Sequence, residues 1–452
     1  MLTSRSPWDL APVWQSPSAT PEQAAAAVAA MAMAFPAWSR DDHRAERLRA
    51  LAAAISAHRS SLAVLLTREA GKTTADAEAE IELLIKKIDI TLGAGASRVP
   101  GVPAVGHGVA IAWRPRGVAV VVGPSNFPLH LLHGLVVPAL AVGCTVVAKP
   151  TERCPALGEL YRALLREAGL SEVCAVVLGG ADVVASLLAQ PAVATVAAVG
   201  SRSTGLALSG LLAPRPEVVL ALELGGVNHA LICPDAEIDA TLPAIADGAW
   251  RMAGQRCTAT RIVHVPRRLA EVFITGLQRQ QLAWMPTGAS NAQVGPMVAV
   301  EQRDRFTAAW LACPAGIEVL PTPAPPTPAP PTNGAFAAPV LAVVRDPAVR
   351  KHPLIGEEHF GPGLIVDPYD DEDEAVARMA ANPYRLSAAV WTTDRERFLR
   401  HARHLRYGLV AHNRSTAGAR SDLPFGGCGS SGNGRPAAVA ASQIFADETV
   451  VW

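Results

Sequence analysis

The 452-residue chain has no net charge, few aromatic residues and no regular cysteine pattern. Its 40 basic residues balance 40 acidic ones, so the surface offers no general attraction for phosphate backbones or anionic lipid. Aromatic residues make up 5% and charged residues 18% of the chain, which indicates an interior of small aliphatic side chains rather than a disordered chain. We therefore expect a globular protein that binds neither nucleic acid nor membrane.

The seven cysteines are an odd number without regular spacing, which excludes a small disulfide scaffold. The first twenty residues lack the basic start and the apolar run of a secretion signal. None of the twelve histidines belongs to an H-E-x-x-H or similarly paired ligand motif. We expect a cytoplasmic protein without a metal, and at about 150 residues per domain the length corresponds to roughly three domains.

Residues 117–148 contain no charged side chain, a length that would cross a bilayer. Pro124, Pro128 and Pro138 interrupt this run, which also carries Asn126, so it cannot be one continuous helix. We predict a buried strand, loop, helix and strand instead.

The first ninety residues are predicted to be helical. Thr20 and Gln23 fit a capping box, with Pro21 at the first helical position. A second amphipathic helix is predicted from apolar residues at steps of three, four and seven, namely Leu48, Leu51, Ile55, Leu62 and Leu65. A third helix is predicted over residues 73–90.

From residue 117 onward, short apolar strands alternate with helical segments. Five strands are predicted first, at Val118–Val122, Thr145–Ala148, Val173–Leu178, Val193–Val199 and Val218–Leu222. Four more are predicted between residues 227 and 412, at Arg261–Val265, Leu341–Val344, Gly363–Val366 and Ser387–Trp391. This alternation predicts an α/β protein with two doubly wound parallel-sheet domains, whose ligands lie beyond the carboxyl ends of the strands.

Three further segments do not belong to these sheets. Val109–Trp113 and Thr449–Trp452 resemble strands but have no evident partner in either domain, so we expect them to pair between subunits. Residues 321–332 read PTPAPPTPAPPT, which predicts an exposed extended loop with no function of its own.

Two glycine motifs are misleading. Residues 71–74 resemble the end of a phosphate-binding loop, but Leu66 stands where its first glycine belongs and a helix precedes it. Gly427, Gly429 and Gly432 satisfy G-x-G-x-x-G too near the end of the chain for the strand–helix–strand unit that this motif requires. We interpret the second motif as a tight, flexible loop.

Three polar residues stand where a doubly wound fold presents ligands. Asn126 follows the first strand, Glu223 follows the fifth, and Cys257 lies in a loop between a helix and a strand. Burial at a strand end would raise the pKa of Glu223, which suits a general base. Alternatively, the cysteine is only a small buried hydrophobe and the glutamate only caps a helix.

In these segments the chain resembles the NAD(P)-dependent aldehyde dehydrogenase superfamily, and the resemblance extends from the first helices almost to the end. Supporting motifs stand along the chain in the order expected of this superfamily. They are Glu69-Ala70-Gly71-Lys72, Lys149-Pro150-Thr151-Glu152, residues 200–205 (GSRSTG), residues 357–362 (EEHFGP) and residues 424–429 (PFGGCG).

The resemblance implies an aldehyde dehydrogenase-like fold in which a small β arm joins subunits. Its parts would be an NAD-binding domain (1–98 and 117–225), a catalytic domain (226–420), an oligomerisation arm (99–116 and 437–452) and a return segment that closes the active site (421–436). The expected assembly is a homodimer or a dimer of dimers.

The resemblance also implies that Cys257 is the nucleophile that attacks an aldehyde carbon. The Asn126 amide and the backbone N–H of Cys257 would stabilise the oxyanion. After hydride transfer, Glu223 would activate the water that hydrolyses the thioester to a carboxylate. Retention of all three residues argues against a catalytically silent relative, and Glu223 argues against a coenzyme A-acylating variant.

NAD is the cofactor that the resemblance implies. Its contacts would come from Lys149 and Glu152 at the adenosine ribose, from Gly200, Ser201 and Gly205 at the pyrophosphate, and from Glu358 and Phe360 at the nicotinamide half. A carboxylate at Glu152 accepts hydrogen bonds from ribose hydroxyls and repels a 2′-phosphate, which favours NAD over NADP. The alternative for Lys149 is a solvated surface lysine.

Within the superfamily, residues 126–131, 253–258 and 429–436 are most similar to the succinylglutamate semialdehyde dehydrogenase branch. Its substrate, N-succinylglutamate 5-semialdehyde, carries two carboxylates, for which Arg414 and Arg420 are the candidate partners. Ser125, His229 and Arg385 replace a bulky aromatic, a proline and a glycine that are usual in the family. Alternative substrates are therefore another ω-semialdehyde, such as glutamate semialdehyde, or a broad range of aliphatic aldehydes.

Overall fold

The computed structural model of the chain describes residues 1–100, 104–105, 109–288, 292–324 and 328–451. The α-helices in these ranges are α1 (Pro21–Trp38), α2 (Arg44–Ala57), α3 (Arg59–Ala70), α4 (Thr74–Ile90), α5 (His130–Val142), α6 (Pro155–Glu167), α7 (Ala181–Leu188), α8 (Arg202–Leu212), α9 (Ile238–Trp250), α10 (Arg267–Gln281), α11 (Val300–Leu311), α12 (Pro353–Gly356), α13 (Glu372–Ala381) and α14 (Arg395–His404). The strands are β1 (Leu2–Arg5), β2 (Pro12–Ser16), β3 (Ala104–Val105), β4 (Val109–Pro115), β5 (Val118–Val122), β6 (Thr145–Lys149), β7 (Cys174–Val176), β8 (Val193–Val199), β9 (Val219–Glu223), β10 (Asn228–Ile232), β11 (Thr260–Pro266), β12 (Ile317–Val319), β13 (Val340–Val344), β14 (Gly363–Tyr369), β15 (Tyr384–Arg385), β16 (Ser387–Trp391), β17 (Leu409–His412), β18 (Pro424–Phe425), β19 (Cys428–Gly429), β20 (Gly432–Asn433), β21 (Ala437–Ala438) and β22 (Ala446–Val451).

The first large sheet has six strands in the order β20-β9-β8-β5-β6-β7. Strands β5 to β9 run parallel, and β20 pairs antiparallel with β9 at the edge. Because β5 lies in the middle and the chain winds outward on both sides, the predicted doubly wound sheet is confirmed. The bounds predicted for β5 and β8 match, whereas the third strand, predicted over Val173–Leu178, covers only Cys174–Val176.

Helices cover both faces of this sheet. Along β5, Ala119 and Val121 belong to an apolar cluster with residues of α4, α5 and α6, whereas Val118 and Val120 belong to a second cluster with α1, α7 and α8. A strand buried on both faces needs an uninterrupted apolar run. The uncharged stretch from residue 117 to 148 is therefore β5, α5 and β6, as predicted.

Across the described ranges, no single helix is both long and apolar enough to cross a membrane. The pair α2 and α3 meets that criterion only when the two are counted together, and they are bent by 70° relative to each other.

The second large sheet has seven strands in the order β12-β13-β14-β11-β10-β16-β17. Strand β12 pairs antiparallel and the others run parallel. Helices α9 and α10 pack on one face and α13 and α14 on the other, which confirms a second doubly wound unit. Strand β10 was not among the predicted strands, because Asn228 and His229 interrupt its apolar run.

The N-terminal helices confirm one prediction and correct another. Thr20 Oγ1 accepts a hydrogen bond from the Gln23 amide, and Gln23 Oε1 accepts one from the Thr20 amide, so the capping box forms. The prediction of a single second helix was wrong, because the structure has two helices, α2 and α3, in this region. At His58 the chain turns between α2 and α3, and Leu65 is only partly buried on the second of these helices.

The two strand-like pieces near residue 110 and the C-terminus pair with each other within one chain. Strand β22 runs antiparallel to β4, with Glu448 opposite Trp113, and β3 adds a third strand. The two pieces therefore do have a partner within the chain, namely each other. Residues 101–103, 106–108 and 452 of the expected arm, and residues 325–327 of the proline-rich segment, lie outside the described residues.

Candidate active site

The candidate site lies between the two large sheets. Asn126 follows β5 and Glu223 ends β9, so both stand at the carboxyl edge of the first sheet, whereas Cys257 precedes β11 at the amino edge of the second. The Asn126 side-chain amide donates a 2.9 Å hydrogen bond to the backbone carbonyl of Gln255. The sequence-predicted trio therefore meets where the two sheets face each other.

The backbone before Cys257 is strained. Met252, Ala253 and Gly254 all have left-handed φ angles, of 56°, 51° and 64°. Residues with a Cβ rarely adopt this conformation, and such strain clusters at functional sites. At Gly254 a Cβ would lie 2.1 Å from the carbonyl oxygen of Gly361, so only glycine fits.

A buried guanidinium supports this loop. Arg261, in β11, donates to the carbonyl oxygen of Gly254 at 2.8 Å and to that of Gly361, and it lies 6.0 Å from the centre of the Phe360 ring. Burial lowers the pKa of Arg261 to about 10, a shift that the Glu358 carboxylate opposes. The cation therefore stays charged beside the site at neutral pH.

The Cys257 thiol is half-buried and lies near the carboxyl groups of Glu223 and Glu358. Loss of water around the sulfur raises its pKa, and the carboxylates of Glu223 and Glu358 raise it further. The sulfur is therefore neutral at pH 7, and a nearby base has to accept its proton before it can act as a nucleophile.

Glu223 is buried, with 1% of its surface exposed, and neither carboxyl oxygen has a hydrogen-bond partner among the described residues. Burial raises its pKa to about 8; the Gly427 amide and the Arg435 guanidinium oppose this shift without forming a hydrogen bond of ordinary geometry. The raised pKa agrees with the expectation from sequence. A carboxyl group with this pKa exchanges protons readily near neutral pH.

The segment from residue 421 to 436 lies against β9 beside Glu223. Gly432 pairs with Glu223 in the sheet, and the Leu224 amide donates to the Ser431 carbonyl at 2.9 Å. Gly432 has a left-handed φ of 129°, and a Cβ there would lie 2.1 Å from the Leu222 carbonyl oxygen. The G-x-G-x-x-G motif is thus a close-packed turn against the site.

Glu358 lies against the glycine pair that follows Glu223. Its Oε1 accepts a 3.1 Å hydrogen bond from the Gly226 amide, and a Cβ on Gly225 would lie 1.8 Å from its Oε2. Phe360 is two residues further along. Glu358 is therefore close enough to Cys257 to raise the pKa of its thiol, and Phe360 lies beside Arg261.

Lys149 and Glu152 form an ion pair just beyond β6, with Nζ 2.8 Å from Oε2. Lys149 is 4% exposed, which rules out a solvated surface lysine. Partial burial works to raise the pKa of Glu152, but the Lys149 ammonium outweighs it and holds that pKa below its usual value. A half-exposed carboxylate is thus ionised at the edge of the first sheet.

The expected pyrophosphate residues lie at the start of α8, at the same edge. Ser201 is the N-cap of α8, and its hydroxyl accepts from the Thr204 amide at 3.2 Å. Gly200 precedes it. Gly205 packs against Leu224, whose Cδ1 would lie 2.7 Å from a Cβ there. Gly205 therefore has a packing reason for lacking a side chain.

The two candidate substrate arginines are exposed and differ in their pairing. Arg420 binds Asp422 through two nitrogens, at 3.0 and 2.5 Å, so its charge is already neutralised. Arg414 forms no ion pair within the described ranges and lies two residues from Thr416, which donates a 2.8 Å hydrogen bond to the Thr258 carbonyl. Arg414 is therefore the better placed of the two.

One group of mixed metal-ligand types lies away from this site. Within the described ranges, donor atoms of Cys233, Glu372 and His401 lie within 4.8 Å of one another. His401 Nε2 is 2.7 Å from Glu372 Oε1, and the Arg397 guanidinium lies 3.6 Å from the same oxygen. A neighbouring cation opposes metal binding, so a hydrogen-bonded pair explains this group.

Comparison with known proteins identifies the family. The model of the aldehyde dehydrogenase family matches residues 1–450. The chain belongs to the aldehyde dehydrogenase family. It is 34% identical over 456 residues to the N-succinylglutamate 5-semialdehyde dehydrogenase of Burkholderia thailandensis, with 99% of this chain and 92% of that protein covered.

Solved structures show the same aldehyde dehydrogenase fold. A Mycobacterium tuberculosis aldehyde dehydrogenase complexed with NAD+ has a TM-score of 0.90 at 27% identity, with 100% of this chain and 94% of that one covered. A bifunctional proline utilization A protein has a TM-score of 0.89 at 30% identity. There 97% of this chain is covered but only 45% of the other, so this chain spans less than half of that protein.

Sequence reasoning missed two residues that shape this aldehyde dehydrogenase site. Arg261 is a charged residue in an otherwise apolar strand, which is the same signal that points to Glu223, but the sequence predicts only the start of a strand at this position. Asn228 is fully buried, and its side-chain amide donates to the carbonyls of Cys257 and Ala259. A polar residue at the start of an apolar run was the available signal.

Proposed function

We propose that this aldehyde dehydrogenase oxidises N-succinylglutamate 5-semialdehyde to the carboxylate with NAD, through a thiohemiacetal and a thioester on Cys257. The observation that carries the chemistry is the carboxyl of Glu223, which has no hydrogen-bond partner in the described part of the chain and a pKa of about 8. It lies near a thiol that needs a base.

The sulfur of Cys257 attacks the aldehyde carbon while Glu223, directly or through a water, accepts the thiol proton. The carbonyl oxygen becomes an oxyanion, toward which the Asn126 amide and the Cys257 backbone N–H donate. One such donor contributes roughly 3 kcal/mol to the transition state. NAD held by Lys149, Glu152 and the N-terminus of α8 would supply the hydride acceptor for this carbon. Glu223 passes the thiol proton on to solvent and then takes a proton from the water that attacks the thioester. That proton goes to the departing Cys257 sulfur, so the acid is released and the thiol is restored.

Support for NAD as cofactor comes from the edge of the first sheet. Lys149 and the ionised Glu152 lie there beside the N-terminus of α8, and Glu358 and Phe360 lie nearer to Cys257. A carboxylate suits the two hydroxyls of an unmodified ribose and repels a 2′-phosphate. The relative with bound NAD+ supports the same assignment.

Support for the substrate comes from the relative that carries the succinylglutamate name and from Arg414, which forms no ion pair with any residue that the structure describes. A planar guanidinium binds a carboxylate through two hydrogen bonds. Glutamate semialdehyde is the second candidate, because the proline utilization protein is as similar in fold.

We further infer an NAD-binding domain (1–98 and 117–225), a catalytic domain (226–420), a closing segment (421–436) and a β arm (99–116 and 437–452) that joins two subunits. The edges of the three-stranded β22-β4-β3 sheet support that role for the arm. All seven cysteines are free, which supports the assignment to the cytoplasm.

The test follows NADH absorbance with purified protein, NAD or NADP, and a panel of N-succinylglutamate, glutamate and aliphatic aldehydes. We expect the highest kcat/KM with N-succinylglutamate 5-semialdehyde and NAD. If another aldehyde gives a higher kcat/KM, that aldehyde is the substrate instead. If no aldehyde yields NADH, the proposed dehydrogenase activity is wrong. Arg414→Gln should raise KM for the dicarboxylic substrate but not for an uncharged aldehyde.

A further inference from the structure

An ion pair with no assigned role lies behind the candidate site. Lys72 Nζ is 3.0 Å from Glu80 Oε2, and the two side chains are 2% and 0% exposed. Lys72 ends the Glu69-Ala70-Gly71-Lys72 motif, and Glu80 lies in α4. Neither residue takes part in the chemistry proposed above.

Stability alone is a weak explanation for this pair. Removing two charges from water costs several kcal/mol per ion, and apolar residues of similar volume often stabilise a fold as well or better. The Lys72–Glu80 contact also lacks the geometry of a good hydrogen bond, since neither Nζ nor Oε2 has a hydrogen-bond partner within the described ranges. The role of the pair must therefore be sought in the other contacts of Lys72 and Glu80.

Glu80 binds the start of α5. Its Oε1 accepts hydrogen bonds from the backbone amides of Leu129 at 3.1 Å and His130 at 2.9 Å. Helix α5 has no side-chain cap of its own at Leu129. The carboxylate of Glu80 thus caps the helix from α4, where the positive end of the helix dipole favours an anion. This fixes the chain three residues after Asn126.

Lys72 acts on the residue directly after Asn126. Its ammonium lies over the ring of Phe127, 4.0 Å from the ring centre. A desolvated ammonium in that position is attracted by the negative face of the ring. The two charges therefore contact the chain at Phe127 and at Leu129 and His130, all within four residues of the oxyanion donor.

The loop that carries Lys72 also packs against the other half of the site. Gly71 has a left-handed φ of 75°, and a Cβ there would lie 3.2 Å from Pro296. Gln255 binds the same segment, since its Oε1 accepts from the Val298 amide at 2.8 Å. The backbone carbonyl of Gln255 is the acceptor for the Asn126 amide.

We propose that Lys72 and Glu80 are positioning residues that hold residues 126–130 so that the Asn126 amide points at the developing oxyanion. The proposal rests on the role of Asn126 in the proposed function. Neither charge touches the substrate. A displacement of about 1 Å of a catalytic group costs about 100-fold in rate, so loss of either contact lowers turnover through Asn126.

The first experiment compares Glu80→Gln with Glu82→Gln. Both substitutions are on α4 and remove one carboxylate, but Glu82 is 44% exposed and pairs with Arg59 at the surface. We expect Glu80→Gln to lower kcat about 10- to 100-fold with KM for NAD unchanged, and Glu82→Gln to leave kcat unchanged. Equal effects of the two substitutions would overturn the proposal.

The second experiment introduces Asn126→Ala alone and together with Glu80→Gln. If Glu80 acts through Asn126, the double variant is no slower than Asn126→Ala alone, because the amide is already gone. Two independent losses that multiply would overturn the proposal. The double variant Lys72→Met/Glu80→Gln removes both charges and leaves no unpaired buried ion, so it serves if Glu80→Gln does not fold.

Hydrogen exchange gives a readout that does not require turnover. Glu80→Gln and the double charge variant should speed exchange at the Leu129 and His130 amides, and Glu82→Gln should not. Unchanged exchange at these amides would overturn the positioning role. Wild-type protein that is inactive on every aldehyde but shows the exchange effect would instead overturn the proposed function.

Discussion

The side-chain amide nitrogen of Asn228 lies 2.7 Å from the backbone carbonyl oxygen of Cys257, to which it donates a hydrogen bond. The same nitrogen donates to the Ala259 carbonyl at 2.9 Å, and Oδ1 accepts from the Ser387 amide at 3.0 Å. Asn228 begins β10 and is completely buried. One side chain therefore joins the nucleophile loop to two neighbouring strands.

Asn228→Ala should lower both stability and turnover. It leaves two carbonyls and one amide buried without partners, at a cost of roughly 1–3 kcal/mol for each such group. Urea unfolding should show a lower midpoint, and kcat should fall because the Cys257 backbone is no longer fixed. Asn333→Ala is the control, because Asn333 is exposed and donates to the Asp9 carbonyl. An unfolding midpoint equal to that of the control would show that the Asn228 bonds are dispensable.

Cys257→Ala should remove turnover, by roughly four orders of magnitude or more. The matched control is Cys313→Ala, since Cys313 is another partly exposed free cysteine. Because burial and two carboxylates raise the thiol pKa, alkylation of Cys257 by iodoacetamide should be slow at pH 7 and accelerate with rising pH. Mass spectrometry of the modified peptide measures this. Fast alkylation at pH 6 would contradict the raised pKa.

Glu223→Gln should trap the reaction at the thioester. A general base contributes about 10²–10⁴-fold, so hydrolysis slows and an acylated Cys257 accumulates in the intact mass spectrum. Glu217→Gln, at the exposed end of the same segment, is the control. A variant that turns over at the wild-type rate without an adduct would assign water activation to another group.

The pH dependence of wild-type activity should reflect the same carboxyl group. Burial raises the pKa of Glu223 to about 8, and only the deprotonated form accepts a proton. The fraction of active enzyme therefore rises as pH increases from 6 to 9, with kcat/KM half-maximal near pH 8. The Glu223→Gln variant should not show this rise of kcat/KM with pH. A profile that is flat from pH 6 to 9 would contradict the raised pKa.

The parts of the fold that could be predicted are those in which one local pattern determines the structure. Val118–Val122 is apolar because β5 is buried on both faces, and its bounds match. The stripe from Leu48 to Leu65 continues across His58 in sequence, although the chain bends there. The spacing of apolar residues predicts which residues lie on one side of a helix. It does not reveal a bend between two helices when the apolar residues of both helices are buried.

The parts of the site that could be predicted are side chains whose chemistry is costly to bury. Glu223 was found because it ends an apolar strand. The roles of Asn228 and Arg261 were not predicted because they depend on backbone carbonyls that are distant in sequence. Asn228 donates to the Ala259 carbonyl and Arg261 to the Gly361 carbonyl. Residue type carries no information about such distant acceptors.

Cofactor choice depends on the carboxylate of Glu152, which lies half-exposed beside the buried ammonium of Lys149. An ionised Glu152 repels a 2′-phosphate, and its partner cation is occupied. Glu152→Gln keeps the shape, removes the negative charge and leaves Lys149 free to attract a phosphate. We therefore expect KM for NADP to fall about tenfold or more while KM for NAD rises.

Steady-state kinetics with both cofactors measure this change as the ratio of kcat/KM for NADP to that for NAD. Glu159→Gln is a matched control, since Glu159 also pairs with a basic residue three positions away, Arg162, but lies on α6. The control should leave the ratio unchanged. A tenfold change corresponds to about 1.4 kcal/mol, within the range of a single removed charge in a partly buried site. If Glu152→Gln also leaves the ratio unchanged, Glu152 does not contact the ribose.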